Sequence, residues 1–176
     1  MFPDRFATAR LVLRPVAAGD AEAIFAGYAQ DLEVTRHLIW RPHRDIAETQ
    51  AYLAVCVALS PDDARVYAVT VRGDDRLLGC LHLRRPASHR VEFGYVLARS
   101  CWGRGFMTEA LRATVDWALA EPGIYRIGDV CDVDNPASAR VMEKSGLARE
   151  GLLRRWMIHP NVSDEPRDCF IYGRAR

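Results

Sequence analysis

No stretch of this 176-residue chain approaches the roughly twenty consecutive apolar residues that cross a bilayer. The opening residues, Met-Phe-Pro-Asp-Arg-Phe, lack the apolar centre of a secretory signal. Cysteine is sparse and scattered, at positions 56, 80, 101, 131 and 169, with no Cys-x-x-Cys pair and no Cys/His cluster at zinc spacing. That pattern argues against a disulfide framework and gives no reason to expect a metal. Cys56, Cys80 and Cys131 lie inside apolar runs, as buried thiols do, and the expected address is a reducing cytoplasm. Excess charge is missing too. Twenty-four basic side chains face twenty-three acidic ones, which argues against nucleic-acid binding by bulk electrostatics, leaving Arg84-Arg85 and Arg154-Arg155 as local basic pairs. No internal repeat or low-complexity linker interrupts the chain, so residues 1–176 are read as one domain with no membrane or nucleic-acid partner.

What is present is a regular alternation of periods. Arg10 to Arg14 alternates as a strand ended by Pro15, and Gly19-Asp20 opens a helix with Ala21, Ile24, Phe25 and Tyr28 on one face. A second helix runs from about Asp45 to Leu59, with Ile46, Thr49, Leu53, Cys56 and Val57 as its stripe. Between them lies His37-Leu-Ile-Trp-Arg-Pro-His43, rich in rings. Arg65 to Arg72 and Leu77 to Leu83 form a hairpin through Gly73 to Arg76, and Val91 to Leu97 is a third run. Met107, Ala110, Leu111, Thr114, Val115 and Ala118 keep helical spacing up to Pro122-Gly123. Tyr125 to Val133 is a strand, and Asn135-Pro136 starts a helix closed by Gly146. Leu152 to Ile158 and Cys169 to Tyr172 form a final antiparallel pair around a long polar loop. Hairpins mixed with crossovers indicate an α/β (α+β) domain, its mixed sheet mostly antiparallel, about seven strands flanked by about four helices.

One junction carries chemistry. Ser100-Cys-Trp-Gly-Arg-Gly-Phe-Met-Thr-Glu109 joins the third run directly to the long helix. Main-chain N–H groups in such a turn have no helical partners and sit at the positive end of the helix dipole, which makes a phosphate cradle. Gly103 and Gly105 allow the backbone to curl there. The turn is neither a Walker loop nor a dinucleotide fingerprint.

Three segments taken together resemble the GNAT superfamily of acyl-CoA-dependent N-acyltransferases. The nearest branch holds the RimJ/RimL-like ribosomal-protein N-terminal acetyltransferases. They are Thr8 to Pro15, then Glu92 to Leu97 with Trp102 to Ala110, and Asp134 to Leu147. The resemblance implies a single GNAT-type domain that uses acetyl-CoA as co-substrate and transfers its acetyl group directly to a primary amine. The acceptor is then a protein N-terminus or a small amine; a catalytically inactive acyl-CoA-binding sensor or partner subunit is the alternative. It further implies that Tyr95, Val96 and Leu97 align the pantetheine through their backbones. The turn of Trp102, Gly103, Arg104, Gly105, Phe106, Met107 and Thr108 then holds the pyrophosphate, with Asn135 and Ser138 contacting the cofactor later in the chain. Trp102 and Met107 stand where the family usually has smaller or polar residues.

The catalytic candidates are Glu92 as proton acceptor and Ser138 beside the departing thiolate. Glu92 is a carboxylate in an apolar strand, which must reach a cleft or be paired, Arg84 and Arg90 being its alternative partners. Ser138 has a plain reading as a first-turn serine bonded to backbone. No tyrosine lies on its helix to act as acid. His37, Trp40 and Glu92 are expected at the acceptor mouth, next to the loop from His159 to Asp168, whose three acidic residues suit an ammonium group. His82 reads as a satisfied structural histidine. Trp156 and Phe170 are the candidates for either core or a homodimer interface.

Overall fold

The computed structural model describes residues 1–176 and contains one eight-stranded sheet. Strands β1 (Phe6–Ala7), β2 (Leu11–Pro15), β3 (Ala64–Val71), β4 (Leu77–Ala87), β5 (Arg90–Leu97), β6 (Arg126–Asp132), β7 (Ala148–Met157) and β8 (Arg167–Ala175) lie in the order β1-β2-β3-β4-β5-β6-β8-β7. Every neighbouring pair is antiparallel except β5 and β6. The parallel pairing holds only for Arg90 with Arg126 and Val91 with Ile127. Beyond that point the two strands separate in the middle of the sheet, and the gap positions the site.

Helices α1 (Ala21–Ile24), α2 (Leu32–Thr35) and α3 (Ile46–Val57) precede β3; α4 (Phe106–Ala120) and α5 (Pro136–Lys144) flank β6. The six periodic residues expected on α4 are all buried, each large one contributing roughly 2 kcal/mol. Side chains alternate across the sheet, so Tyr67 of β3 reaches Phe6 and, through it, Trp117 of α4, whereas Cys80 of β4 meets Tyr28 on the opposite face. α1 and α4 therefore cover opposite faces. No helix is long and apolar enough to cross a membrane, and all five cysteines are buried and unpaired.

Local chemistry explains the differences from expectation. Asp20 does not cap α1: its carboxylate is drawn to Arg14 and to the Ala17 N–H, and the helix tightens before it and widens after Ile24. Asp31 caps the short α2, a turn the periodicity does not show. Val57 is exposed at the end of α3, where the stripe has drifted off the core. Asn135 caps α5 as expected, and Asp45 caps α3 by accepting the Glu48 N–H. Phe170 packs on the core and Trp156 is exposed on the edge strand β7.

Candidate active site

Main-chain geometry comes first. Gly103 and Gly105 adopt φ of +73° and +74°, a conformation that side chains disfavour, and α4 begins at the next residue. The first N–H groups of α4 thus open onto a cleft of about 1080 Å³. Trp102, Gly103, Gly105, Phe106, Met107 and Thr108 line it, but Arg104 does not. The Arg104 side chain lies over the Phe106 ring and its carbonyl accepts from Arg10, so only its backbone belongs to the turn. Arg112 of α4, with Arg140 and Lys144 one turn apart on α5, bring cationic groups to the same end. The fit to a diphosphate is good: curled donors at a helix start, with cationic side chains around them.

The turn is tied to the opposite edge of the molecule through Glu109. Its carboxylate accepts from the Thr8 hydroxyl at 2.6 Å, the Arg10 N–H at 2.9 Å and the Arg10 guanidinium at 2.6 Å. Together the two donor side chains hold this carboxylate below the usual range against the opposing effect of burial. Sequence reasoning does not find this tie, although Thr8, Arg10 and Glu109 all fall within the resembling segments.

From the turn the cleft follows the gap between β5 and β6. Asp129 fills the start of that gap; it accepts the Phe93 N–H at 3.1 Å and Arg84 at 2.8 Å on one oxygen, and the Val130 N–H at 2.7 Å on the other. Burial raises its pKa to about 6, while Arg84 opposes the rise. By the alternation of the ladder, the main-chain groups of Tyr95 and Leu97 face the gap as Phe93 does. The Leu97 carbonyl is already taken by the Trp102 indole N–H at 2.8 Å, which leaves Tyr95 as the free edge. Tyr95, Val96 and Leu97 all line the cleft.

Asn135 and Ser138 line it from α5. Asn135 Oδ1 caps the helix by accepting the Ser138 N–H at 3.1 Å. The Ser138 hydroxyl meets the Tyr95 hydroxyl at 2.8 Å. Tyr95 crosses the gap from β5, so a phenol reaches the α5 serine from another element. Burial keeps that phenol protonated, with its pKa pushed well above the ordinary value.

At the far end stand His37, His159 and Asp132. Asn161 donates to the carbonyls of Thr35 and Trp40, so the early loop and the late loop do converge. Their acids are already matched: Arg41 sits 3.5 Å from Asp164, and Arg155 sits 3.2 Å from Glu165. A second basic side chain, Arg154, stands 3.6 Å from Asp168.

Two expectations fail on geometry. Glu92 does not line the cleft: it contacts Arg84 at 3.2 Å and Arg90 at 3.5 Å, the paired state that its position in the strand also allowed. Trp40 does not roof the cleft either. Its ring packs at a tilt against His43 with centroids 5.0 Å apart and lines a separate small apolar pocket with Ile24, Tyr28 and Tyr52, behind the wall made by Val96. His82 is likewise not satisfied, since its Nε2 is buried without a partner.

Comparison with known proteins places the family and the fold. Residues 10–148 match the acetyltransferase (GNAT) domain family. Over 98% of its length the chain is 32% identical to the uncharacterized N-acetyltransferase YoaA of Bacillus subtilis, covering 97% of that protein. It is 32% identical over 103 residues to the ribosomal-protein-serine acetyltransferase of Escherichia coli, covering 57% of this chain and 56% of that one. The crystal structure of a GNAT-family acetyltransferase from Bacillus anthracis superposes with a TM-score of 0.85 at 25% identity, covering 97% of this chain and 98% of that one.

Proposed function

The chain belongs to the GNAT family of N-acetyltransferases, and from that premise we propose that it moves an acetyl group from acetyl-CoA to a primary amine while both are bound. One observation carries the reading. A single cleft runs from the glycine turn at the start of α4, through the β5/β6 gap, to the Tyr95–Ser138 hydroxyl pair. In that order it offers anion donors, a free strand edge and a proton donor. Acetyl-CoA needs the same three features along its length: pyrophosphate, pantetheine amides and thioester.

Each residue has a stated part. The N–H groups from Gly103 to Thr108 bind the pyrophosphate, and the Tyr95 backbone aligns the pantetheine, with Asn135 beside it on α5. The Tyr95 phenol, relayed through Ser138, supplies the proton that the departing sulfur takes up. The acceptor enters from the His37 end. It is a protein N-terminus or a small amine; the E. coli relative, a ribosomal-protein-serine acetyltransferase by name, brings peptides beginning with serine into the trial set. Buried reduced thiols suit work in the cytoplasm.

The test is calorimetric titration with CoA together with CoA release from acetyl-CoA across peptides and small amines. CoA should bind, and at least one amine should be acetylated. Gly105→Asp adds bulk and negative charge where φ is +74°, and should weaken CoA by about a hundredfold or more. Normal affinity in that variant, with the fold intact by circular dichroism, would remove the cradle. Binding without turnover of any amine would instead mark the chain as a CoA sensor.

A further inference from the structure

We propose that His37 takes the proton from the acceptor ammonium, with the carboxylate of Asp132 behind it holding the imidazole in the receptive tautomer. The proposal rests on the acetyl-transfer reading above and puts the base on the cleft, which Glu92 does not line.

The geometry is that of an imidazole backed by a buried acid. His37 Nδ1 is shut off from solvent, makes no hydrogen bond, and lies 4.0 Å from Asp132 Oδ1. Its other nitrogen, Nε2, carries no partner and is left to the cleft that His37 lines. The Asp132 side chain has no exposure at all. It is fixed by Arg167, at 2.5 Å and 3.1 Å, and by the Asp134 N–H at 2.8 Å. A negative charge so placed favours a proton on Nδ1 and leaves the lone pair on Nε2. Asp132 ends β6, and the turn after it leads into α5 with Ser138, so the carboxylate behind the proposed base and the serine that relays the proposed acid stand on one short segment of the cleft wall.

The charged groups around His37 agree. Burial lowers its pKa below the ordinary histidine value; Asp132 opposes this, and His159, Arg36 and Arg167 add to it. The ring is therefore neutral near pH 7 and ready to accept.

Most other acids and imidazoles on the cleft are already engaged, Asp116 with Arg174 at 3.8 Å among them. Both Asp129 oxygens hold N–H donors, and Glu109 is held by Thr8 and Arg10. His159 turns its Nε2 to Asp132 at 3.7 Å and is nearly buried, so it buttresses the pair. Glu33 of α2 is exposed and solvated, and no buried group orients it.

The step balances. One proton passes from the ammonium to His37 Nε2, and the freed lone pair forms the C–N bond to the acetyl carbonyl carbon. The C–S bond breaks with its electron pair left on sulfur. The sulfur takes its proton from the Tyr95 phenol through Ser138, the second proton shed by the nitrogen restores that phenol, and the imidazolium returns its own to solvent, so each turnover releases one proton.

Two measurements on the full chain test this. In histidine-labelled protein at pH 7, the ¹⁵N shifts of His37 should report a neutral ring protonated on Nδ1, and Asp132→Asn should move the proton toward Nε2. In steady-state acetyl transfer to the best amine of the panel, His37→Gln should lower kcat about a hundredfold at pH 7, within the range of general-base catalysis. It should also abolish the acidic limb of the pH profile, recover part of the rate at higher pH where the amine is already neutral, and leave the KM for acetyl-CoA unchanged. A wild-type ring protonated on Nε2 overturns the proposal. So does a His37→Gln variant with full rate and the same acidic limb. If the wild type acetylates no amine, the reading above falls instead, and the nitrogen shifts still decide the state of His37.

Discussion

Arg84 decides what Glu92 does. Its guanidinium holds Glu92 through Nε and Asp129 through Nη2, and so orders the acid that fills the mouth of the β5/β6 gap. Glu92 is one partner among several in a half-exposed network, where a single ion pair contributes little. Glu92→Gln is therefore expected to change kcat by less than about threefold, with an unshifted pH profile in steady-state assays, well short of the hundredfold typical of a lost general base. A hundredfold loss at neutral pH, recovered at high pH, would return the base role to Glu92. Trp40 follows the same logic in apolar form: its ring finds His43 and the small pocket behind Val96, so its part is to shape the loop that carries His37.

The unit that matters among the elements is the start of α4 with its tie to β1 and β2. Left-handed glycines make a turn that can receive an anion, but such a turn needs a fixed neighbour to hold its shape. Glu109 provides it through Thr8 and Arg10, and Arg10 also reaches the Arg104 carbonyl. From the far side, Arg112 donates to the Lys144 carbonyl and Ser145 to the Thr108 carbonyl, joining α4 to α5. Glu109→Gln keeps the size and removes the charge. It should cost about 1–2 kcal/mol in urea unfolding, in line with a charged hydrogen bond. Because the turn loosens, calorimetry should also show CoA affinity falling several-fold. A variant that loses stability but binds CoA as the parent does would separate the tie from the cradle.

Across the whole molecule, four histidines share one response to acid. Burial lowers the pKa values of His37, His43 and His159, and takes His82 down to about 4 with help from Arg84. A folded value below the unfolded one means that the unfolded chain binds more protons between the two. Stability from His82 is thus present above about pH 6.5 and is lost as pH falls toward 4. Asp129, raised to about 6, works in the opposite direction over the lower part of that window. At pH 5 the His82 contribution amounts to a loss of about 2 kcal/mol relative to pH 7. His82→Gln should accordingly lose about 2 kcal/mol less than the wild type between pH 7 and pH 5 in urea titrations. Equal losses would mean that His82 is protonated in the fold.

Most of the fold and the glycine-turn end of the cleft are legible in the chain itself, because both depend on neighbours a few residues apart. The spacing from Met107 to Ala118, the Asn135-Pro136 start and the Gly103/Gly105 turn are local patterns, and each appears where its pattern puts it. Whether a side chain with suitable chemistry faces the cleft depends on residues far away in sequence. Glu92 is turned aside by Arg84, a residue of the neighbouring strand, and Trp40 by the rings of His43 and Tyr52. Tyr95 meets Ser138, forty-three residues on. His37 lies 4.0 Å from Asp132, which the early loop approaches only because β6 ends beside it and Arg167 holds the carboxylate there. Spacing records hydrophobic period and turn chemistry, whereas the partner of a buried charge is set by how strands align and separate, and that is decided only when the sheet has formed.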